Sequence, residues 1–404
     1  MKLGIISTVG GYSWAGSEEM WKVLALEAVA KGHQIAVSAH APIAASEELA
    51  DLKAKGGMAF ARPAFNRLTR RLAARGLYSR FGRMVSWDPD VLCLSVGMPA
   101  DPVWQPDLLR YLNAFKKPLV IIVQGNAEGF VTEESQRRLL RPLFSSAAGL
   151  ICVSRQNASL LERQLALGLS NVVVWPNPVR TRLSEPLAWP VNSDGVVRLA
   201  TVARFETLHK CQDHTLEALA SPAWRRRNWH LSLFGSGPDE GYLRGLVRHY
   251  GLEGRVSLPG YVRDFRDIWA NHHLHILNSH SEGLALALIE SMFCGRPAVV
   301  TRAGGNPELV RDGIDGFVSP GMHPEIIAET LERAWAGREQ WRQMGAAAFE
   351  RASGWVPADL AARLLETILS CSSRRKEAPF SCGVPNVDCG IAQTACAQTP
   401  PPSN

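Results

Sequence analysis

The chain has 404 residues, a formal net charge of +6, 46% hydrophobic residues and 20% charged residues. Those proportions exclude a wholly disordered chain, which needs low hydrophobicity and high charge. They also exclude a polytopic membrane protein, because no stretch reaches the roughly 18 uninterrupted apolar residues of a span. The charge is mild for the length and does not by itself point to nucleic acid.

The N-terminal MKLGIISTVGG lacks the longer apolar core and small-residue cleavage site of a signal peptide. It reads as a buried strand entering a glycine turn. Strand-sized apolar runs follow at 34–39, 91–96, 119–124, 149–154 and 172–177. A second series lies at 197–203, 230–236, 255–260, 274–279, 297–301 and 316–319. Near-continuous Val/Ile/Leu runs suit strands buried on both faces, as in parallel sheets. Helix-length segments at 17–31, 155–168, 238–250 and 283–293 lie between them. This alternation predicts βαβ units with right-handed crossovers.

The proline-rich stretch 178–195 breaks the pattern and reads as an interdomain linker. Two doubly wound α/β domains follow, 1–178 and 196–354, with the linker at 179–195. Ligands of such sheets sit at the carboxyl ends of the strands. The cleft between the two domains is therefore the expected site. A last helix at 357–370, with Pro357 near its first turn, lies within a segment, 355–372, expected to pack back towards the N-terminal domain. The tail 373–404 is rich in Pro, Ser, Gly, Thr and Ala without periodicity, and disorder is expected there.

Eight cysteines occur and none forms a C-x-x-C pair, so no zinc site is expected. With no export signal, reduced thiols in a cytosolic protein are the simplest reading. Cys382, Cys389 and Cys396 lie in the tail, seven apart. In the stretch NHHLHILNSH, His273 and His275 alternate on a strand, but no carboxylate joins them in a ligand pattern. The segment 62–83 holds seven arginines and no acid. Phe65, Leu68 and Leu72 recur there at helical spacing. It reads either as a face for an anionic membrane surface or as a solvated face over the core.

The most informative stretch is 280–320. Glu282 and Glu290 stand eight apart, E-x7-E. A helix beginning near Gly283 would put Glu282 at its mouth and Glu290 two turns in. Residues eight apart on a helix lie about 80° around and roughly 12 Å along the axis. A ligand touching both must be extended, such as a sugar joined to a nucleotide. The N–H groups of Gly283, Leu284 and Ala285 would then form an anion site for a diphosphate.

The run Glu282-Gly283-Leu284, Glu290-Ser291-Met292, Gly295-Arg296-Pro297, Gly304-Gly305, Pro307-Glu308 and Asp312-Gly313 resembles the family 4 glycosyltransferases. That resemblance implies the GT-B fold, two Rossmann-like domains facing each other across a cleft. It makes 1–178 the acceptor side and 196–354 the nucleotide-sugar-binding side. The stretch TVARFETLHKCQD looks like the family's diphosphate-holding strand and loop, which implies that role for Arg204 and Lys210. The resemblance places Tyr261 and Val262 beside the base, and Gly16 and Ser17 where the first loop approaches donor phosphate and acceptor. Gln124 stands where many relatives carry a histidine that contacts the donor sugar. Glu282 would bind sugar hydroxyls and Glu290 ribose hydroxyls.

The resemblance implies a retaining transfer from a nucleotide-sugar donor to a hydroxyl acceptor, a glycan or lipid-linked glycan, in cell-surface polysaccharide or glycolipid synthesis. No metal or other cofactor is expected, and no nucleic acid partner. The expected location is cytoplasmic, possible also at the inner face of the cell membrane. A nucleotide-sugar epimerase and a non-catalytic nucleotide-sugar-binding protein are the alternatives on the same frame.

Overall fold

The computed structural model describes residues 1–128, 133–191 and 193–372. The expected disordered tail, with its three cysteines, lies outside them.

Two parallel sheets form. The first holds β1 (Lys2–Ser7), β2 (Gln34–His40), β3 (Met58–Arg62), β4 (Val91–Val96), β5 (Leu119–Val123), β6 (Gly149–Cys152) and β7 (Val172–Val174). The second holds β8 (Val197–Val202), β9 (Trp229–Phe234), β10 (Val256–Gly260), β11 (Leu274–Leu277), β12 (Ala298–Thr301) and β13 (Gly316–Ser319). Their strand orders are 3-2-1-4-5-6-7 and 10-9-8-11-12-13. Each chain of connections therefore reverses direction once, between β1 and β4 and between β8 and β11. A crevice opens at such a reversal, outside the carboxyl ends of the strands.

Strand β3 is absent from the sequence reading. It is an edge strand, paired to β2 alone among the described strands. Its five residues offer only Met58 and Phe60 as large apolar side chains, too short a run to stand out. It ends on Arg62, which is fully buried. The Arg62 guanidinium donates to the Ser38 carbonyl at 2.8 Å and to the Ser7 carbonyl.

Helices cover both faces, which is why β4 is buried at every residue. Helix Glu18–Ala30 lies against the closing helix Leu360–Ser372. Trp175 Nε1 also donates to Thr367 Oγ1 at 3.2 Å. One apolar cluster joins Leu3, Trp21 and Leu24 to Leu277, Leu288 and Leu364, so the core runs unbroken from one domain into the other.

The basic segment departs from a continuous amphipathic helix. Helix Arg67–Ala74 spans two turns, capped by Asn66, whose side chain accepts from the Thr69 N–H at 2.8 Å. It stops before Gly76, which has a positive φ, and a second helix runs Gly82–Trp87. Of the stripe Phe65, Leu68 and Leu72, Leu68 is exposed while Phe65 and Leu72 are half-buried. Among the described residues no helix is long and apolar enough to cross a membrane.

Candidate active site

The two sheets turn their reversal points towards each other. Tyr12, in the glycine loop after β1, meets Arg204 and Glu206, in the loop after β8. The Tyr12 hydroxyl donates to Glu206 Oε1 at 2.5 Å, and Arg204 Nη2 donates to Glu206 Oε2 at 2.8 Å. The Arg204 guanidinium lies over the Tyr12 ring, 4.1 Å from its centroid. Burial and the Glu206 bond push the Tyr12 phenol up. Neither Tyr12 nor Glu206 was singled out by the sequence. Partners 194 residues apart leave no spacing signal.

Lys210 ends the short helix Thr207–Lys210, whose Thr207 N–H is tied to Asp239 Oδ2 at 2.7 Å. Its Nζ donates to Glu282 Oε1 at 2.6 Å. The same oxygen accepts from Ser279 Oγ at 2.6 Å, and Thr301 Oγ1 donates to the Ser279 carbonyl at 2.5 Å. The carboxylate is thus fixed from the ends of β11 and β12. Both charged side chains are largely buried, at 17% and 9% exposure. A pair in such a place is screened less than one at the surface.

The expected start of the E-x7-E helix needs correction. The helix runs Leu286–Phe293, with Ala285 extended as its cap. Three contacts hold 283–285 out of the helix. The Gly305 N–H donates to the Gly283 carbonyl at 2.7 Å, and Asn177 Nδ2 donates to the Leu284 carbonyl at 2.7 Å. Gly283 also packs on the Gln124 carbonyl so closely that a Cβ there would lie 1.9 Å from it. Gly283, Leu284 and Ala285 are consequently buried between the domains and are not first-turn amides. The small residue at 283 serves the close approach of the two domains. Gly16 does the same opposite the helix start, where a Cβ would come 2.8 Å from Leu286 Cδ1. Ser17, next to it, donates to Glu18 Oε1 at 3.3 Å.

Glu290 lies inside this helix. It is 1% exposed, and Arg180 takes both its oxygens, Nε at 2.8 Å and Nη2 at 3.4 Å. Burial pushes the Glu290 carboxyl up while Arg180 pulls it back. Burial also works against the Arg180 charge, but Glu290 and Tyr261 outweigh it and hold the guanidinium charged. Arg180 belongs to the stretch read as a linker, and its role was missed. Tyr261 is exposed and Val262 half-buried, just beyond β10.

Gln124 and Asn126 follow β5 and are 6% and 4% exposed. Both polar atoms of Gln124, and Nδ2 of Asn126, have no hydrogen-bond partner. Buried amides without partners are rare in native folds. Asn126 lines a pocket of about 150 Å³ with Glu282, Ser279, Asn157 and Gly304. Below it the Glu308 carboxylate, from one domain, accepts from the N–H groups of Arg155 and Gln156 in the other, at 3.1 and 2.8 Å. That places a negative charge on the N-terminus of helix Arg155–Leu165, where the helix dipole favours it. The pattern Pro307-Glu308 was noted in the sequence, but its part in joining the domains was not.

Among the described residues no group of three His, Cys, Asp or Glu is arranged to hold a metal ion. His275 is fully buried and bonds Ser291 Oγ at 2.9 Å, and His273 Nδ1 accepts from the Arg198 N–H at 3.0 Å.

Residues 197–336 match the family described as Glycosyl transferases group 1. An exopolysaccharide phosphotransferase of Streptomyces coelicolor is 27% identical over 232 residues, 57% of this chain and 24% of that protein. A D-inositol 3-phosphate glycosyltransferase of Thermobifida fusca is 42% identical over 80 residues, 20% of this chain and 18% of that protein. The chain thus spans about a quarter or less of these curated relatives. Among solved structures, Anabaena HepE in complex with UDP superposes with a TM-score of 0.70 at 17% identity, over 92% of this chain and 100% of that one. Sucrose-phosphate synthase from Thermosynechococcus elongatus gives 0.71 at 18% identity, over 91% and 98%. The fold is GT-B, with two Rossmann-like domains across a cleft. The sequence likenesses support a glycosyltransferase family.

Proposed function

We propose that the chain is a retaining glycosyltransferase of the family 4 type, which moves a sugar from a nucleotide-diphosphate donor to a hydroxyl acceptor in polysaccharide synthesis. One observation carries this reading. Arg204 and Lys210 follow β8 and Glu282 follows β11, the two strands at the reversal point of the second sheet, and Arg204 lies against Tyr12 of the first domain's glycine loop while Lys210 pairs with Glu282. Two cations, each held in the free protein by its own carboxylate, Arg204 by Glu206 and Lys210 by Glu282, suit a diphosphate joined to a sugar.

Negative charge grows on the leaving diphosphate as the glycosidic bond breaks. Arg204 and Lys210 stabilise it, and fixed cations in a water-poor cleft act most strongly there. In the free protein their charges are satisfied by Glu206 and Glu282, so the donor exchanges partners rather than meeting bare cations. Glu282, released from Lys210, is left to accept from sugar hydroxyls. The unpartnered amides of Gln124 and Asn126 serve the sugar from the other domain. The acceptor proton passes to the leaving phosphate on the same face, which retains the anomeric configuration. The positive charge that neutralises the leaving group comes from side chains, so no metal is needed.

HepE has been solved with UDP-glucose, which makes a UDP-sugar the first donor to test. Melting of the full chain is measured with UDP-, GDP- and ADP-sugars. A ligand at 100 times its Kd stabilises by about 2.7 kcal/mol. A donor that stabilises and is then transferred or hydrolysed in excess chelator supports the reading. No stabilisation by any of them defeats it, and release of an epimerised donor without acceptor favours an epimerase.

A further inference from the structure

The basic segment shapes a second groove in the N-terminal domain. It is an open cleft of about 420 Å³ at the carboxyl ends of β2 and β3. His40, the last residue of β2, forms part of its wall, and a Cβ on Gly10 would lie 3.2 Å from the His40 ring. The groove wall therefore touches the glycine loop after β1.

Its charge is one-sided. Arg67, Arg70 and Arg80 line it, and no carboxylate does. Arg80 is already satisfied, with Nε on Asp107 Oδ2 at 2.8 Å and Nη2 on Gln105 Oε1 at 3.0 Å. Among the described residues no carboxylate pairs with Arg67 or Arg70. His40 adds no further positive charge at neutral pH, since burial and the nearby Arg62 and Arg80 push it down to about 4. Apolar ring surface accompanies the cations. Phe65 is stacked under Arg80 at 3.5 Å, and Trp104 keeps 43% of its surface exposed. Flat aromatic faces accept the C–H face of a sugar ring, while paired arginines fork onto carboxylate or phosphate oxygens.

We propose that this groove holds an acidic glycan, a sugar chain bearing carboxylate or phosphate, with Arg67 and Arg70 on the acid and Phe65 and Trp104 against the rings. It rests on the reading of the chain as a glycosyltransferase, and makes the groove the holding site for the acceptor. A lipid surface is a poorer fit, because helix Arg67–Ala74 is two turns long and presents only Leu68 as an exposed large apolar side chain. Interfacial helices bury a wide apolar face.

The test is calorimetric titration of the full chain with tetragalacturonic acid, glucose 1-phosphate and neutral maltotetraose, with UDP titrated in parallel. One or both acidic probes are expected to bind, weaker at high salt, and which one binds identifies the acid. The double variant Arg67→Gln, Arg70→Gln should weaken that binding at least tenfold, a loss of about 1.4 kcal/mol. Both residues are exposed, so the variant's melting should match wild type. Binding of neither acidic probe, equal binding of maltotetraose, or no effect of the variant overturns the groove. Arg67- and Arg70-dependent recruitment to phosphatidylglycerol vesicles, with neither soluble probe bound, assigns the face to lipid and also overturns it. UDP binding without acidic-probe binding defeats the groove alone. Acidic-probe binding without UDP binding defeats the donor-site reading alone.

Discussion

Tyr12 and Glu206 meet across the cleft, the phenol donating to the carboxylate at 2.5 Å, and this bond ties the glycine loop of one domain to the cation-bearing loop of the other. Glu206 at the same time holds Arg204. On the proposed reading, a diphosphate arriving at Arg204 would compete with Glu206, and weakening that grip would also weaken the tie to Tyr12. Opening of the cleft and loading of the donor would then be linked through one carboxylate.

Tyr12→Phe keeps the ring under Arg204 and removes the bond. A hydrogen bond to a charged group contributes about 1.5–3 kcal/mol. The variant is expected to be more open when free, with a larger radius of gyration in solution scattering than wild type. An unchanged radius would mean that the shared apolar core, not this bond, sets the closure.

Lys210 and Glu282 separate two parts of donor binding. Lys210→Ala should weaken both UDP and a UDP-sugar by about ten- to a hundredfold, the range of one charged contact. Glu282→Gln keeps the shape but lowers the capacity to accept from hydroxyls. It should weaken the UDP-sugar relative to UDP, whose own binding should be unchanged or tighter because Lys210 is released from its carboxylate. Calorimetry on both ligands decides. Equal losses of UDP and UDP-sugar in Glu282→Gln would remove the carboxylate from the sugar end.

Most of the architecture was legible because parallel strands buried on both faces leave dense apolar runs. Those from Leu3 to Val318 show the alternation directly. The edge strand β3 was not, since Met58-Ala59-Phe60-Ala61-Arg62 carries too little apolar weight. The helix start was misplaced by three residues because the cause is tertiary. Gly283 lies on a carbonyl contributed by Gln124, a contact from 159 positions earlier that no local pattern records. The same holds for Arg180 on Glu290. A basic residue in a proline-rich stretch reads as solvated, and only the folded chain brings it to a buried carboxylate.

Arg296 offers a test of how that stretch is held. It is 1% exposed and donates to carbonyls instead of a carboxylate: Trp269 at 2.9 Å, His272 at 3.0 Å, Cys294 at 2.8 Å and Ala188 at 2.7 Å. Burial pushes it down, to about 10, which still leaves it charged at neutral pH. Arg296→Met leaves several carbonyls without donors, and a cost of about 3 kcal/mol is expected. Arg296→Lys has fewer donors and no fork, so it should recover only part of the loss. Urea unfolding of the three proteins measures this. A change under about 1 kcal/mol in Arg296→Met would show that water replaces the guanidinium.

The buried histidines set a pH dependence whose sign can be worked out. Burial pushes His272 down to about 4 and His275 down to about 3, so both stay neutral in the folded chain at pH 5. In the unfolded chain they take up a proton below about 6.5. The unfolded state then binds more protons, and stability falls as the pH drops through that window. Glu18 acts in the opposite sense. Burial pushes its carboxyl up to about 7, so its contribution is present at low pH and lost as the pH rises from about 4.5 to 7. Opposing slopes make the wild-type profile alone ambiguous, and a variant separates them. His275→Gln removes one titrating group whatever it does to overall stability. Below about pH 6 its stability should fall less steeply than wild type, by about 1.4 kcal/mol per pH unit. Urea unfolding at pH 5.0, 5.5 and 6.0 gives both slopes. Parallel slopes would mean that His275 is protonated in the folded chain, which the Ser291 contact and its complete burial argue against.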